Sequence, residues 1–208
     1  MKYPILLDNL PFFGYEVLRT FFPNLKKPSL HQKVKRWLDH GDFVPLKKGL
    51  YMTTAYLRAH QSDKNLKVFI ANSLRYPSYI SGTYVLQRHD MLTEVSYPIT
   101  SVTLKSSRTY SNKIGAFVYS SISEDLYTGF VTEKYEEETV YIASRIKALF
   151  DFFYFKYGKA KNFPFDIKER DRIDISKLTL REKKEFKAYC EKCHSRILKK
   201  LPYLLSHE

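Results

Sequence analysis

Residues 29–53 constrain this chain more than any other stretch, because a helix with a cationic outer face runs straight into a short hairpin. In SLHQKVKRWLDHG, Leu30, Val34, Trp37 and Leu38 recur at helical spacing and define a face to be buried. Gln32, Lys35, Arg36 and Asp39 fall on the opposite face, with Ser29 and Lys33 at its border. Ser29 is suited to cap the helix start and Gly41 to stop its end. DFVPLKKGLYMTT then offers two strands, 43–46 and 50–53, around the turn Lys47-Lys48-Gly49, where glycine accepts a positive φ. Upstream, FFGYEVLRTFF over 12–22 spaces Phe13, Val17, Leu18, Phe21 and Phe22 as a helix does, and Pro23-Asn24 end it.

A cationic amphipathic helix followed by a hairpin with a dibasic tip is the outline of a winged helix-turn-helix. In that geometry the second helix enters the major groove and the wing rests on the phosphate backbone. Gln32 and Arg36 suit base edges, because Gln pairs bidentately with adenine and Arg with guanine. Ser29, Lys33, Lys47 and Lys48 suit phosphates, and Lys35 adds an outward cation. His31, at the helix start, either touches phosphate or faces solvent. Taken singly, each of these residues reads equally well as solvated surface, and Asp39 opposes close phosphate contact on that face.

Charge agrees with a polyanionic partner. Lys and Arg total 35 against 22 Asp and Glu, a net +13. The excess is uneven. Counted along the chain, residues 1–60 hold ten basic and four acidic side chains, 61–150 ten and nine, and 151–208 fifteen and nine. Both ends are basic and the middle is nearly neutral. No apolar run approaches the roughly 18 residues of a membrane span, and MKYPILLDNLPFF does not have the pattern of a signal peptide. Two cysteines point to a reducing compartment rather than a disulfide scaffold. The expected location is cytoplasmic, with no membrane association.

The centre of the chain reads as two helices, about 63–74 and 78–89, broken at Tyr76-Pro77. Strands follow over ITSVTLKS and KIGAFVYSSI, then a pair in TGFVTEKYEEETVYIAS with Glu136-Glu137-Glu138 at the turn. ASRIKALFDFFYFKYG is an apolar helix with Ile146, Leu149, Phe150 and Phe153 on its inner face. In their order, KKGLYMT, PSYISGTYVLQRHDML, ITSVTLKSSRTY with GAFVYSSI, and YIASRIKALFDFFYF resemble the antitoxin and transcriptional regulator of AbiE abortive-infection systems. The matching positions are Gly49 and Tyr51; Pro77 to Ser81 with His89; and Ala143, Ser144 and Lys147 to Asp151. The resemblance spans roughly residues 12–157. It implies a winged helix that represses its own promoter by binding double-stranded operator repeats. It also implies a second domain that counters a nucleotidyltransferase-like toxin, by an antagonism described as indirect rather than through a stable complex. The chain is short for that family, and nothing in the family matches the tail after residue 158.

Other candidate chemistry is sparse. Cys190, Cys193 and His194 form CEKCH, the pattern of haem attachment and half of a zinc site. The haem reading lacks an export signal, and zinc lacks a second C-x-x-C, leaving only His194, His207 or a distant histidine. His89 is read as packing or capping its helix, and Ser78 and Ser81 as helix-start residues. Asp151 is read as a buried partner for Arg145 or Lys147. Tyr76, Tyr79, Tyr84 and Tyr97 are read as core or edge aromatics before base-stacking ones. There is no P-loop, H-E-x-x-H or Rossmann fingerprint.

The expected fold is α+β. A winged helix-turn-helix over 1–58 precedes a mixed helix and antiparallel-sheet domain over 59–208, with a basic helical tail from about 158. The expected function is that of a DNA-binding antitoxin and autorepressor, with no enzyme activity, cofactor or metal, and with two copies on DNA. The alternatives are a nucleic-acid-processing enzyme using Glu133, Glu136 and Asp151, or a protein-interaction module that does not bind DNA.

Overall fold

The computed structural model describes residues 2–92, 98–160 and 171–206. The chain is α+β and divides into two compact units. One comprises the residues up to Lys67 together with Tyr110–Gly115, and the other Val68–Thr109 and the residues from Ala116 onward.

The first unit opens with a 3-10 turn, Ile5–Asn9, that buries Leu7 and leaves Ile5 and Leu6 exposed. Phe13–Gly14 form a short strand, β1, and Tyr15–Phe21 form α1. The helix therefore starts later than the 12–22 spacing predicts, because Phe13 pairs with Tyr51 instead. Helix α2 runs over Lys27–Asp39. It begins two residues before the expected Ser29 cap. Pro28 lies in its first turn, where a missing N–H costs no hydrogen bond, and Lys26 takes the cap position. At its far end Gly41 adopts φ +78, the left-handed conformation that ends helices. Strands β2 (Phe43–Lys47) and β3 (Leu50–Thr53) pair antiparallel around the two-residue turn Lys48-Gly49, with Gly49 at φ +80. The sheet order is β1-β3-β2. Pro45 sits in β2, an edge strand that tolerates the lost donor. Thr53 then caps the next helix, α3 (Thr54–Ala59), accepting from the Tyr56 N–H at 3.0 Å. Helix α4, Lys64–Leu74, crosses into the second unit.

The core of the first unit joins Leu7, Phe13, Leu18, Leu30, Val34, Trp37, Phe43 and Tyr51. Phe43 meets Phe13 edge-on at 5.0 Å and Trp37 at 5.1 Å. Each such fully buried aliphatic or Phe side chain stabilises by roughly 1.5–3 kcal/mol. Asn112 donates to the Leu46 carbonyl at 3.0 Å, while its own carbonyl accepts from the Ile114 N–H at 2.8 Å.

In the second unit, β4 (Ser78–Ile80) precedes α5 (Thr83–Arg88). The single helix expected over 78–89 is thus a strand, a turn through Gly82, and a short helix. The remaining strands are β5 (Ile99–Thr103), β6 (Arg108–Asn112), β7 (Gly115–Ser121), β8 (Phe130–Tyr135) and β9 (Glu138–Ala143). With β4 they form a six-stranded mixed sheet in the order β6-β7-β5-β4-β9-β8, in which residues 110–112 of β6 belong to the first unit. The β4–β5 and β8–β9 pairs are antiparallel, whereas β4–β9 and β5–β7 are parallel. Helix α6, Arg145–Tyr157, is capped by Ser144 and buries Ile146, Leu149, Phe150 and Phe153. Helices α7 (Leu180–Lys192) and α8 (Leu201–Ser206) follow.

Register decides which helix covers which face. Tyr79 pairs with Val102 and reaches Asp151 of α6, whereas Ser101, the next residue of β5, pairs with Tyr119, whose hydroxyl donates to the Ala71 carbonyl of α4. Adjacent strand residues point to opposite faces, so α6 and α4 cover opposite faces of the sheet. No described helix is long and apolar enough to cross a membrane.

Candidate nucleic-acid interface

On α2, burial follows the periodicity: Leu30, Val34 and Trp37 are buried, and Ser29, Gln32, Lys35 and Arg36 are exposed. Ser29, Gln32 and Arg36 stand at i, i+3 and i+7, so they share one stripe, flanked by Lys35. Lys47 is half-buried at the end of β2, and Lys48 is exposed at the turn. Lys35, Arg36 and Lys48 form no ion pair among the described residues. Asp39 remains exposed on the same face.

Two of the sequence-predicted residues sit differently from a free surface group. Lys33 folds back over aromatic rings, 5.3 Å from the Phe22 centroid and 6.0 Å from Trp37. His31 packs against the Tyr15 ring at 4.5 Å. Tyr15 in turn meets Tyr51 edge-on at 5.8 Å and accepts a hydrogen bond from its hydroxyl at 3.3 Å. Burial pushes the Tyr51 phenol up, so it stays a neutral donor. The chain His31–Tyr15–Tyr51 therefore ties the start of α2 to α1 and β3. Sequence reasoning missed this bracing, since residues 15, 31 and 51 share no periodicity. It also missed Lys26 and Lys27, exposed at the helix start, where the helix dipole already favours anions. Pro28 was the available signal, because proline marks a first turn.

The second unit brings two sequence segments together. Lys147 and Asp151, one turn apart on α6, form a fully buried ion pair with Nζ to Oδ1 at 2.5 Å. The other carboxylate oxygen accepts from Tyr79 at 3.0 Å and from Ser81 at 2.7 Å. Ser81 therefore holds the carboxylate rather than starting a helix. Burial pushes the Asp151 carboxyl up, against the pull of Lys147, Ser81 and Tyr79. Burial likewise pushes the Lys147 amine down, against the pull of Asp151. The rings of Tyr79, Phe150 and Tyr189 surround the amine at 5.7, 4.8 and 5.4 Å. Every polar atom of the pair has a partner, as a buried ion pair requires.

The remaining candidates are scattered. Cys190 and Cys193 are both buried and unbridged, and burial pushes both thiols up. His194 is exposed. Glu133 pairs with Arg88 at 2.9 Å. Among the described residues, no three His, Cys, Asp or Glu side chains stand close enough to hold a metal ion. His89 caps the end of α5, where burial lowers its pKa. Tyr79 is buried, Tyr84 half-buried and Tyr76 exposed, while Tyr97 and His207 lie outside the described residues. Compared with models of known families and with curated proteins, the chain matches none.

Proposed function

We propose that this protein is a sequence-specific DNA-binding antitoxin that represses its own promoter. The observation carrying this reading is the outer stripe of α2, where Gln32 and Arg36 stand exposed beside Lys35, next to a hairpin tipped by Lys48. The element order β1-α1-α2-β2-β3 and the sheet order β1-β3-β2 support a winged helix-turn-helix, with α2 as the reading helix and β2–β3 as the wing. Gln32 and Arg36 read base edges, and Ser29, Lys35, Lys47 and Lys48 hold phosphates, joined by Lys26 and Lys27. Lys33 and His31 contribute through the aromatic packing that orients the helix. A single reading helix calls for two copies on repeated half-sites.

The second unit is the part proposed to counter a nucleotidyltransferase-like toxin, acting by binding rather than catalysis. Its support is the resemblance over PSYIS and ASRIKALFD, together with the meeting of those segments in the Tyr79–Ser81–Lys147–Asp151 cluster. Growth rescue on co-expression with the neighbouring gene's product tests that half.

The DNA half is tested by mobility shift on the sequence directly upstream of the protein's own gene. Arg36→Ala is expected to weaken the specific complex roughly ten-fold or more, since a bidentate base contact is worth about 1–3 kcal/mol. Lys47→Ala/Lys48→Ala is expected to weaken specific and random DNA alike. Equal affinity of wild type for operator and random duplex overturns the proposal.

A further inference from the structure

The second unit contains two adjoining cavities that the DNA-binding reading does not use. The first, 290 Å³, lies between α6 and the sheet face carrying Val102 and Ser120, with Phe152 and Phe155 on its helix side. One wall is backbone at Gly82, where φ is +63 and an added Cβ would come within 3.3 Å of Thr100 Oγ1. Asp151 also borders this cavity, but its charge is met by Lys147 and its second oxygen by Tyr79 and Ser81. Lys156, at the same cavity, is held by Asp171. What remains for a ligand is largely apolar and flanked by aromatic rings.

The second cavity, 690 Å³, adjoins the first, with Ser120 and Phe155 lining both. Its chemistry is the reverse. Serines 107, 120, 121, 123 and 195 line it, with the ammonium of Lys159 and the imidazole of His194, and no carboxylate lines it among the described residues. The Ser107 hydroxyl accepts from the Ser121 N–H at 2.9 Å and keeps its own hydrogen to donate. The Ser120 hydroxyl engages no described residue. Asp125 keeps its charge near His194 and takes the hydrogen of the Ser123 hydroxyl, which leaves Ser107, Ser120, Ser121 and Ser195 as the hydroxyls open to a ligand. Hydroxyl donors beside a lysine ammonium and an imidazole N–H are what a phosphate needs.

An apolar slot with aromatic walls beside a serine-lined basin that holds Lys159 fits a ligand with a flat ring at one end and a phosphate at the other. We propose that this cleft binds a mononucleotide, its base beside Phe152 and Phe155 and its phosphate among the serines next to Lys159 and His194. The combined space lies in the range of small-molecule sites. A free phosphate leaves the apolar slot empty, and a nucleoside leaves Lys159 unmatched, so each half alone binds more weakly.

The test is calorimetric titration of the full-length protein with AMP, GMP, CMP and UMP, and with adenosine and inorganic phosphate as the separated halves. At least one monophosphate is expected to bind at least about ten-fold more tightly than either half. Lys159→Ala/His194→Ala and Phe155→Ala are each expected to weaken it at least about ten-fold, with unfolding midpoints unchanged because these side chains are exposed. Arg36→Ala in the first unit is expected to leave it unaltered, which separates this site from any nucleotide held by the DNA-binding face. No heat from any monophosphate at millimolar concentration overturns the proposal. So does phosphate binding as tightly as the best nucleotide, or affinity indifferent to both second-unit variants.

Discussion

Lys147 and Asp151 lie side by side at full burial, and their energetics separate the value of a charge from the value of its partner. Two ions removed from water cost several kcal/mol each, and mutual attraction with complete hydrogen bonding only offsets that. Removing one partner strands the other. Asp151→Asn is expected to cost about 3–5 kcal/mol, and Lys147→Met a similar amount. Lys147→Met/Asp151→Asn removes both charges and keeps an acceptor for Tyr79 and Ser81, so it is expected to cost less than either single change. Urea denaturation followed by circular dichroism decides this, and strict additivity of the single costs would refute it. Glu182 is a second informative carboxylate. Burial pushes it up, but hydrogen bonds from Arg145 and Thr179 outweigh that and hold it below the usual carboxylate range. A carboxyl lowered in the folded state contributes stability above its unfolded pKa and loses it as pH falls through the folded value. Wild type is therefore expected to lose its advantage over Glu182→Gln as pH falls from about 6 through the lowered folded pKa. A constant gap between their denaturation midpoints across that window would contradict the assignment.

At the scale of elements, legibility tracked how local each signal is. Helix α2 and its hairpin could be read because Leu30, Val34 and Trp37 keep a helical period and Gly49 marks the turn. Helix α6 and the β8–β9 pair followed from the same arithmetic. Strand β4 could not be read. Three residues are too short to establish a period, and what makes Ser78–Ile80 a strand is pairing with β5 and with Ile142, over sixty positions along the chain. Strand β6, RTYSN, carries no apolar alternation and lies at a sheet edge, so its sequence resembles a loop. The candidate interface divides the same way. Its outer stripe is a property of one helix and was readable. The packing of His31 on Tyr15, and of Lys33 on Phe22 and Trp37, depends on elements that meet only in the folded unit.

For the molecule as a whole, the net charge of +13 sets how the proposed DNA binding responds to salt. If about six phosphates are neutralised, the slope of log K against log salt concentration is about −5. A slope near zero would mean that the basic side chains do not touch the backbone, whatever the shape of the helix. The two units also come with built-in optical and chemical labels. The single tryptophan, Trp37, is buried in the first unit, while both cysteines are buried in the second. Tryptophan emission therefore reports the first unit and thiol titration with a chromogenic disulfide reports the second, on the unmodified chain. Melting curves from the two signals, overlaid, reveal whether the halves of this chain live and die together or as independent tenants of one polypeptide.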